Sequence, residues 1–187
     1  MTEFSIYTKD TAPTGSIPTL EAAEKKFGFI PNLLGELAES PVAVEAYLSL
    51  SGTFGKSTLT PAEQQVVLLT TSYENECHYC MAAHTGGAKM AKLDEGAIQA
   101  LRAGEPIADP KIEALRGFTR KLVVNRGWVQ PADIDSFVAA GYTRANVFEV
   151  ITGVALKTIS NYTNHVAETP LDDKLAALKW DKPAKAA

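Results

Sequence analysis

Cys77 and Cys80 are the two cysteines of this 187-residue chain, and they fall in the stretch Glu76-Cys77-His78-Tyr79-Cys80-Met81-Ala82-Ala83-His84. On a helix, spacings of three and then four residues put Cys77, Cys80 and His84 on one face, a turn apart each time. A C-x-x-C pair can close a disulfide if the local geometry agrees. Only the thiolate attacks, and a free thiol has a pKa of about 8.5. A helix beginning near Glu76 would hold Cys77 in its first turn, where unpaired N–H groups favour negative charge. His84 can take the Cys80 proton, or stabilise the thiolate as imidazolium. Glu74 and Glu76 oppose both effects unless one of them orients the imidazole. Nucleophile, base and resolving thiol are thus all available between Cys77 and His84. Zinc is the competing chemistry: Cys77, Cys80 and His84 offer three ligands and His165 a fourth. That reading makes the chain a zinc-stabilised oligomerisation module rather than an enzyme.

The elements that must position these groups read as helices. Residues 1–17, with Thr, Pro, Gly and Ser and little periodicity, read as an extended arm. An all-helical domain is expected over 18–180 and a frayed tail over 181–187. Thr60-Pro61-Ala62-Glu63 is a capping box with proline in the first turn, and it opens a helix through Val66–Leu69 to about Tyr73. Apolar groups around much of that helix predict burial. A second helix is expected from about Cys77 to Met90, with Gly86 and Gly87 allowing close helix approach. Asp94, Asp109-Pro110, Gln130-Pro131 and Thr143 start four more, the last running to about Ala167 before Pro170. Strand alternation and hairpin signals are absent, so the fold class is all-α. Thr60 onward echoes Thr143 onward, each with a histidine near its end (His84, His165), which would fit a duplicated helix pair.

Composition narrows the function. Hydrophobic content is 45%, charged content 21% and net charge -4. There is no basic footprint for nucleic acid and no apolar run of membrane-spanning length. The N-terminus lacks signal-peptide features, so a cytoplasmic location is expected. In that compartment a C-x-x-C is more often catalytic or metal-binding than structural.

From Leu59 to Met90, a Glu/Gln-containing helix followed by C-x-x-C-x-x-x-H resembles the carboxymuconolactone decarboxylase-like superfamily. Within it, the sequence is most similar to the alkylhydroperoxidase-D branch, which carries the cysteine pair. Asp109 to Pro170 also fits the family's helical pattern. The resemblance implies that Cys80 is the peroxidatic cysteine and that Cys77 resolves its sulfenic acid into a disulfide. It implies a proton-relay role for His84 and reduction by an external thiol or disulfide-exchange partner. It also implies a homo-oligomer, trimer or hexamer, needing no metal or organic cofactor. Two positions depart from the pattern. The family's relay glutamate, twelve residues before Cys77, is Gln65 here, which can hold water or His84 but cannot accept a proton near neutral pH. Glu63 faces nearly the opposite side of that helix, leaving Glu74 as a candidate substitute. Tyr79 stands where peroxidases of the branch carry histidine. The expectation is a thiol-dependent peroxidase acting on a hydroperoxide through Cys80, Cys77, His84 and Gln65. A disulfide reductase or redox sensor is the alternative that the two departures favour.

Overall fold

The chain winds around α4, Pro61–Glu74. Thr60 accepts the Glu63 N–H, and Glu63 returns the bond to the Thr60 backbone, so the expected capping box is present. Such a cap is worth about 1 kcal/mol. Val66, Val67, Leu68 and Leu69 are buried in succession. A helix apolar on every side must be covered on every side. Four helices meet that demand: α5 (His78–Met90), α6 (Glu95–Ala103), α7 (Pro110–Val124) and α9 (Arg144–Ala167) all pack on α4. The computed structural model describes residues 4–183, and among them the architecture is all-helical, with no strand.

α9 packs tightly against α4 at Gly153. A Cβ at Gly153 would stand 2.7 Å from Val67 Cγ1 and 2.9 Å from the Phe54 ring, so only glycine lets the two axes come this near. The other end of the core is a stack of Phe118, Phe137 from α8 (Pro131–Ala139) and Tyr142. Glu63 closes this end, buried and paired with Lys111 at 3.0 Å and Tyr142 at 3.1 Å. It faces away from the cysteines, as its phase on α4 requires.

A second apolar cluster lies over the start of α5. It gathers Leu20 and Ala23 of α1 (Ile17–Phe27), Leu33, Leu34 and Leu37 of α2 (Asn32–Leu37) and Val44 of α3 (Pro41–Phe54) around Cys77, Tyr79 and Cys80. The short N-terminal helices therefore form the roof of the dithiol. Ahead of α1, a 3-10 turn spans Thr14–Ser16, and the Tyr7 backbone bonds to Gly35.

The C-terminal segment straps the α4–α5 junction. Glu168 takes a left-handed conformation and ends α9, and a 3-10 turn follows over Asp173–Leu178. Trp180 is buried in the core cluster, its indole N–H donating to the Arg102 carbonyl at 2.7 Å. Arg102 in turn donates to the carbonyls of Leu178 and Lys179. The part of the tail after Pro183 lies outside the described residues. Thr60 and Thr143 cap their helices in the same way, but α9 is one unbroken helix where α4 and α5 are interrupted at Asn75–Cys77.

Candidate active site

Cys77 is the N-cap of α5 rather than a residue of its first turn, and Cys80 lies inside that turn. Glu76 makes the break possible by adopting a positive φ of 58°. Both cysteines are 1% exposed. The thiols are free and in hydrogen-bond contact with each other.

The cation beside them is a lysine. Lys157 of α9 is fully buried, with Nζ 3.2 Å from Cys80 Sγ and 2.8 Å from His84 Nε2. Asn164, two turns further along α9, donates its amide to Cys80 at 3.2 Å and to Cys77 at 3.4 Å. Ser160 stands 3.7 Å from Cys80, and Tyr47 of α3 reaches Ser160. On the far side of the imidazole, Gln65 Oε1 lies 3.0 Å from His84 Nδ1. The amide oxygen is an acceptor, so Nδ1 carries the ring proton and Nε2 accepts from Lys157.

These contacts order the charges. Burial works against a Cys80 thiolate, yet the hydrogen bond from Cys77 and the Lys157 ammonium outweigh it and hold the Cys80 thiol well below its ordinary value. The Cys77 thiol is pushed up, first by its bond to Cys80 and then by burial. Burial and the neighbouring Lys157 charge lower His84, so of the two sequence alternatives the neutral imidazole is favoured over the imidazolium. Burial works against the Lys157 charge, but the Cys80 thiolate outweighs it and raises the lysine above its ordinary value. The site is thus a thiolate–ammonium pair with a neutral histidine, and the two cysteines are sharply unequal.

The four residues singled out in the sequence converge, though not as a direct chain. His84 reaches Cys80 through Lys157, and Gln65 reaches Cys80 only through both. Gly87 gives Gln65 its room: a Cβ there would stand 2.8 Å from the amide oxygen. Glu74 is no substitute base, because it pairs with Arg120 at 3.0 Å, and Glu76 pairs with Lys182 at 2.7 Å. Glu74 makes no contact with His84 among the described residues. His165 is exposed on α9, and no three His, Cys, Asp or Glu side chains converge as metal donors among the described residues. The donors of the zinc alternative are held apart by an ammonium, since Lys157 stands against both Cys80 and His84. Tyr79 points away from the sulfurs to Asp172, whose other oxygen accepts the Asn32 N–H at 3.1 Å. His78 lies outside the site, 2.9 Å from the Trp180 carbonyl.

Residues 41–121 match the model of the carboxymuconolactone decarboxylase family. Over 92% of this chain and 93% of its own, an uncharacterized peroxidase-related protein from Ralstonia eutropha JMP134, described as an alkylhydroperoxidase AhpD core, superposes with a TM-score of 0.82 at 21% identity. The chain thus carries the carboxymuconolactone decarboxylase pattern over 41–121 and shares its fold with a structure described as an alkylhydroperoxidase AhpD core. A second uncharacterized peroxidase-related protein, from Silicibacter sp. TM1040, shares the fold at TM-score 0.78 and 17% identity, covering 94% of this chain and 95% of that one. So does a variant of the debrominase Bmp8 in complex with 2,3,4-tribromopyrrole, at TM-score 0.78 and 13% identity, covering 95% of each chain. No curated protein matches the sequence significantly.

What distinguishes this site does not lie in the motif. Lys157, Ser160 and Asn164 come from α9, 77 to 87 residues from the cysteines they touch. A signal did exist. Lys157, Ser160, Asn161 and Asn164 fall at helical spacing on the face that Val150 and Gly153 bury. Long polar side chains that continue a buried apolar stripe need buried partners. Asn161 finds Asn75 and Ser72, a structural bond. The other three find the dithiol.

Proposed function

We propose that the protein is a thiol-dependent peroxidase that reduces hydroperoxides through a Cys77–Cys80 dithiol/disulfide cycle. The observation that carries this reading is the Lys157 ammonium 3.2 Å from Cys80, which supplies a thiolate without a basic glutamate at position 65. Cys80 attacks the terminal peroxide oxygen and becomes a sulfenic acid, releasing an alcohol. Cys77, still protonated and touching Cys80, displaces water from that sulfenic acid and closes the disulfide. An external thiol or disulfide-exchange partner then restores the dithiol. Asn164 Oδ1 is buried and has no hydrogen-bond partner among the described residues. An acceptor in that state beside the attacking sulfur suits the O–H of a hydroperoxide. Gln65 fixes the His84 tautomer, and His84 holds Lys157 against the sulfur. We place the protein in the cytoplasm, as a homo-oligomer, on the same reading.

The experiment is consumption of cumene hydroperoxide with dithiothreitol as reductant, wild type against Cys77→Ser. Wild type turns over. In Cys77→Ser, a dimedone adduct forms on Cys80 after one equivalent of peroxide. An adduct on Cys77 in the converse variant alone would reverse the roles. Turnover of 2,3,4-tribromopyrrole with no peroxide consumption would replace the reading by the chemistry named for Bmp8.

Gly87→Ala tests the Gln65–His84 contact. Alanine is favoured over glycine inside a helix by about 1 kcal/mol, and Gln65 is flexible enough to step aside, so thermal stability should hold. The displaced amide no longer fixes the imidazole, and peroxide-driven thiol loss should slow about tenfold, the scale of one lost hydrogen bond. An unchanged rate with the His84 nitrogen NMR signals of wild type would remove Gln65 from the site.

A further inference from the structure

Lys157 has a buried ammonium whose one anionic neighbour is a sulfur that the reaction converts to a neutral disulfide. The groups facing it are Tyr47 from α3, Cys77, Cys80 and His84 from α5, and Ser160 and Asn164 from its own helix. No carboxylate forms an ion pair with it among the described residues. Of its three N–H protons, one goes to Cys80 and one to His84, and the third has no partner among the described residues.

Resting on the peroxidase reading above, we propose that Lys157 is the proton donor of the oxidative half-reaction and stays uncharged for as long as the Cys77–Cys80 disulfide is closed. The ammonium nitrogen lies 3.2 Å from the attacking sulfur, so its remaining N–H is within reach of the departing peroxide oxygen. As the Cys80 thiolate takes the terminal oxygen, the O–O bond breaks and its electrons leave on the alkoxide. Lys157 gives that alkoxide a proton and becomes an amine. Cys77 then attacks the Cys80 sulfenic acid, and the thiol proton leaves with the hydroxyl as water. The hydroperoxide is reduced by two electrons and the dithiol is oxidised by two. One thiol proton, one ammonium proton and the hydroperoxide proton end in one alcohol and one water, so no proton comes from solvent. A cation left without its thiolate in a dry site would be costly, so losing the proton removes the charge at the moment its partner disappears. Reduction reverses this: the returning thiolate and the ammonium form together. The dithiol would therefore take up two protons per reduction at neutral pH, although only one of them sits on sulfur.

The test counts protons. Reduced full-length protein in weakly buffered solution near neutral pH is oxidised with one equivalent of diamide, with an indicator dye reporting proton exchange. Thiolate ultraviolet absorbance is recorded beside it. Diamide needs two protons to become the hydrazine, and Cys77 supplies one. If Lys157 supplies the other, thiolate absorbance disappears with no net proton uptake. If Lys157 stays charged, one proton per disulfide is drawn from solvent, and the proposal is wrong. Lys157→Arg provides the contrast, since a guanidinium does not deprotonate: it should keep the thiolate and draw one proton per disulfide. Absence of thiolate absorbance in the reduced wild type would also overturn the proposal. Failure of any disulfide to form would instead overturn the dithiol cycle on which it rests.

Discussion

Lys157→Met is expected to cut the rate of peroxide reaction by about two orders of magnitude at neutral pH. The ammonium is the charge that outweighs burial at Cys80. Without it Cys80 sits 1% exposed in an apolar cluster, and its pKa should return to or exceed the ordinary ~8.5, leaving a few per cent thiolate or less. The sign of the pH effect follows. Wild-type reactivity should stay level as pH falls from alkaline to neutral, and drop only below the depressed Cys80 value. The variant should gain about tenfold per pH unit up to its own, higher value. Fold is not at risk, because methionine replaces the lysine stem by apolar volume and Cys80 becomes a neutral thiol, a swap that is often neutral or stabilising. Rates of iodoacetamide alkylation across pH, with mass assignment to Cys80, read the effect directly. A variant with the wild-type profile would show that Lys157 is not what makes the nucleophile.

Cys80→Ser should do more than stop the chemistry. It leaves Lys157 buried with a hydroxyl in place of its counterion, so that folding must strip the amine of its proton. Removing one partner of a buried pair costs about 3–5 kcal/mol. The loss should be largest at low pH, where the orphaned lysine must stay charged in the unfolded chain. It should shrink as pH climbs toward the ordinary lysine value of about 10.4, since the unfolded chain then has no proton left for folding to expel. Adding Lys157→Met to Cys80→Ser should restore most of the stability. Denaturant unfolding of the two single variants and the double variant measures this as a coupling free energy. A Cys80→Ser protein as stable as wild type, with no gain in the double variant, would mean that the pair carries no charge.

Much of this was legible in the sequence because it is local. The Thr60 capping box, the proline-led helix starts, the all-α class and the C-x-x-C-x-x-x-H spacing each need only a few neighbouring residues. Gln65 and His84 could be paired in advance because a helical neighbour and a resemblance pointed to both. The rest depends on where α9 and the C-terminal strap pack. Lys157 lies on a helix whose apolar series is obvious, and its own place on the buried face was the missed signal. α5 opens one residue later than the spacing predicts, so Cys77 caps the helix instead of standing in its first turn. Tyr79 meets Asp172 across 93 residues, and Trp180 enters the core from a segment with no periodicity at all.

The central claim is that one hydroperoxide molecule closes Cys77 onto Cys80. It is tested most directly by titrating thiols in the purified protein before and after one equivalent of cumene hydroperoxide, with mass analysis of the intact chain. The account predicts loss of both thiols and of two hydrogens in mass, without added oxygen, restored by a dithiol. Both thiols surviving, or a stable gain of oxygen with one thiol still free, would contradict it.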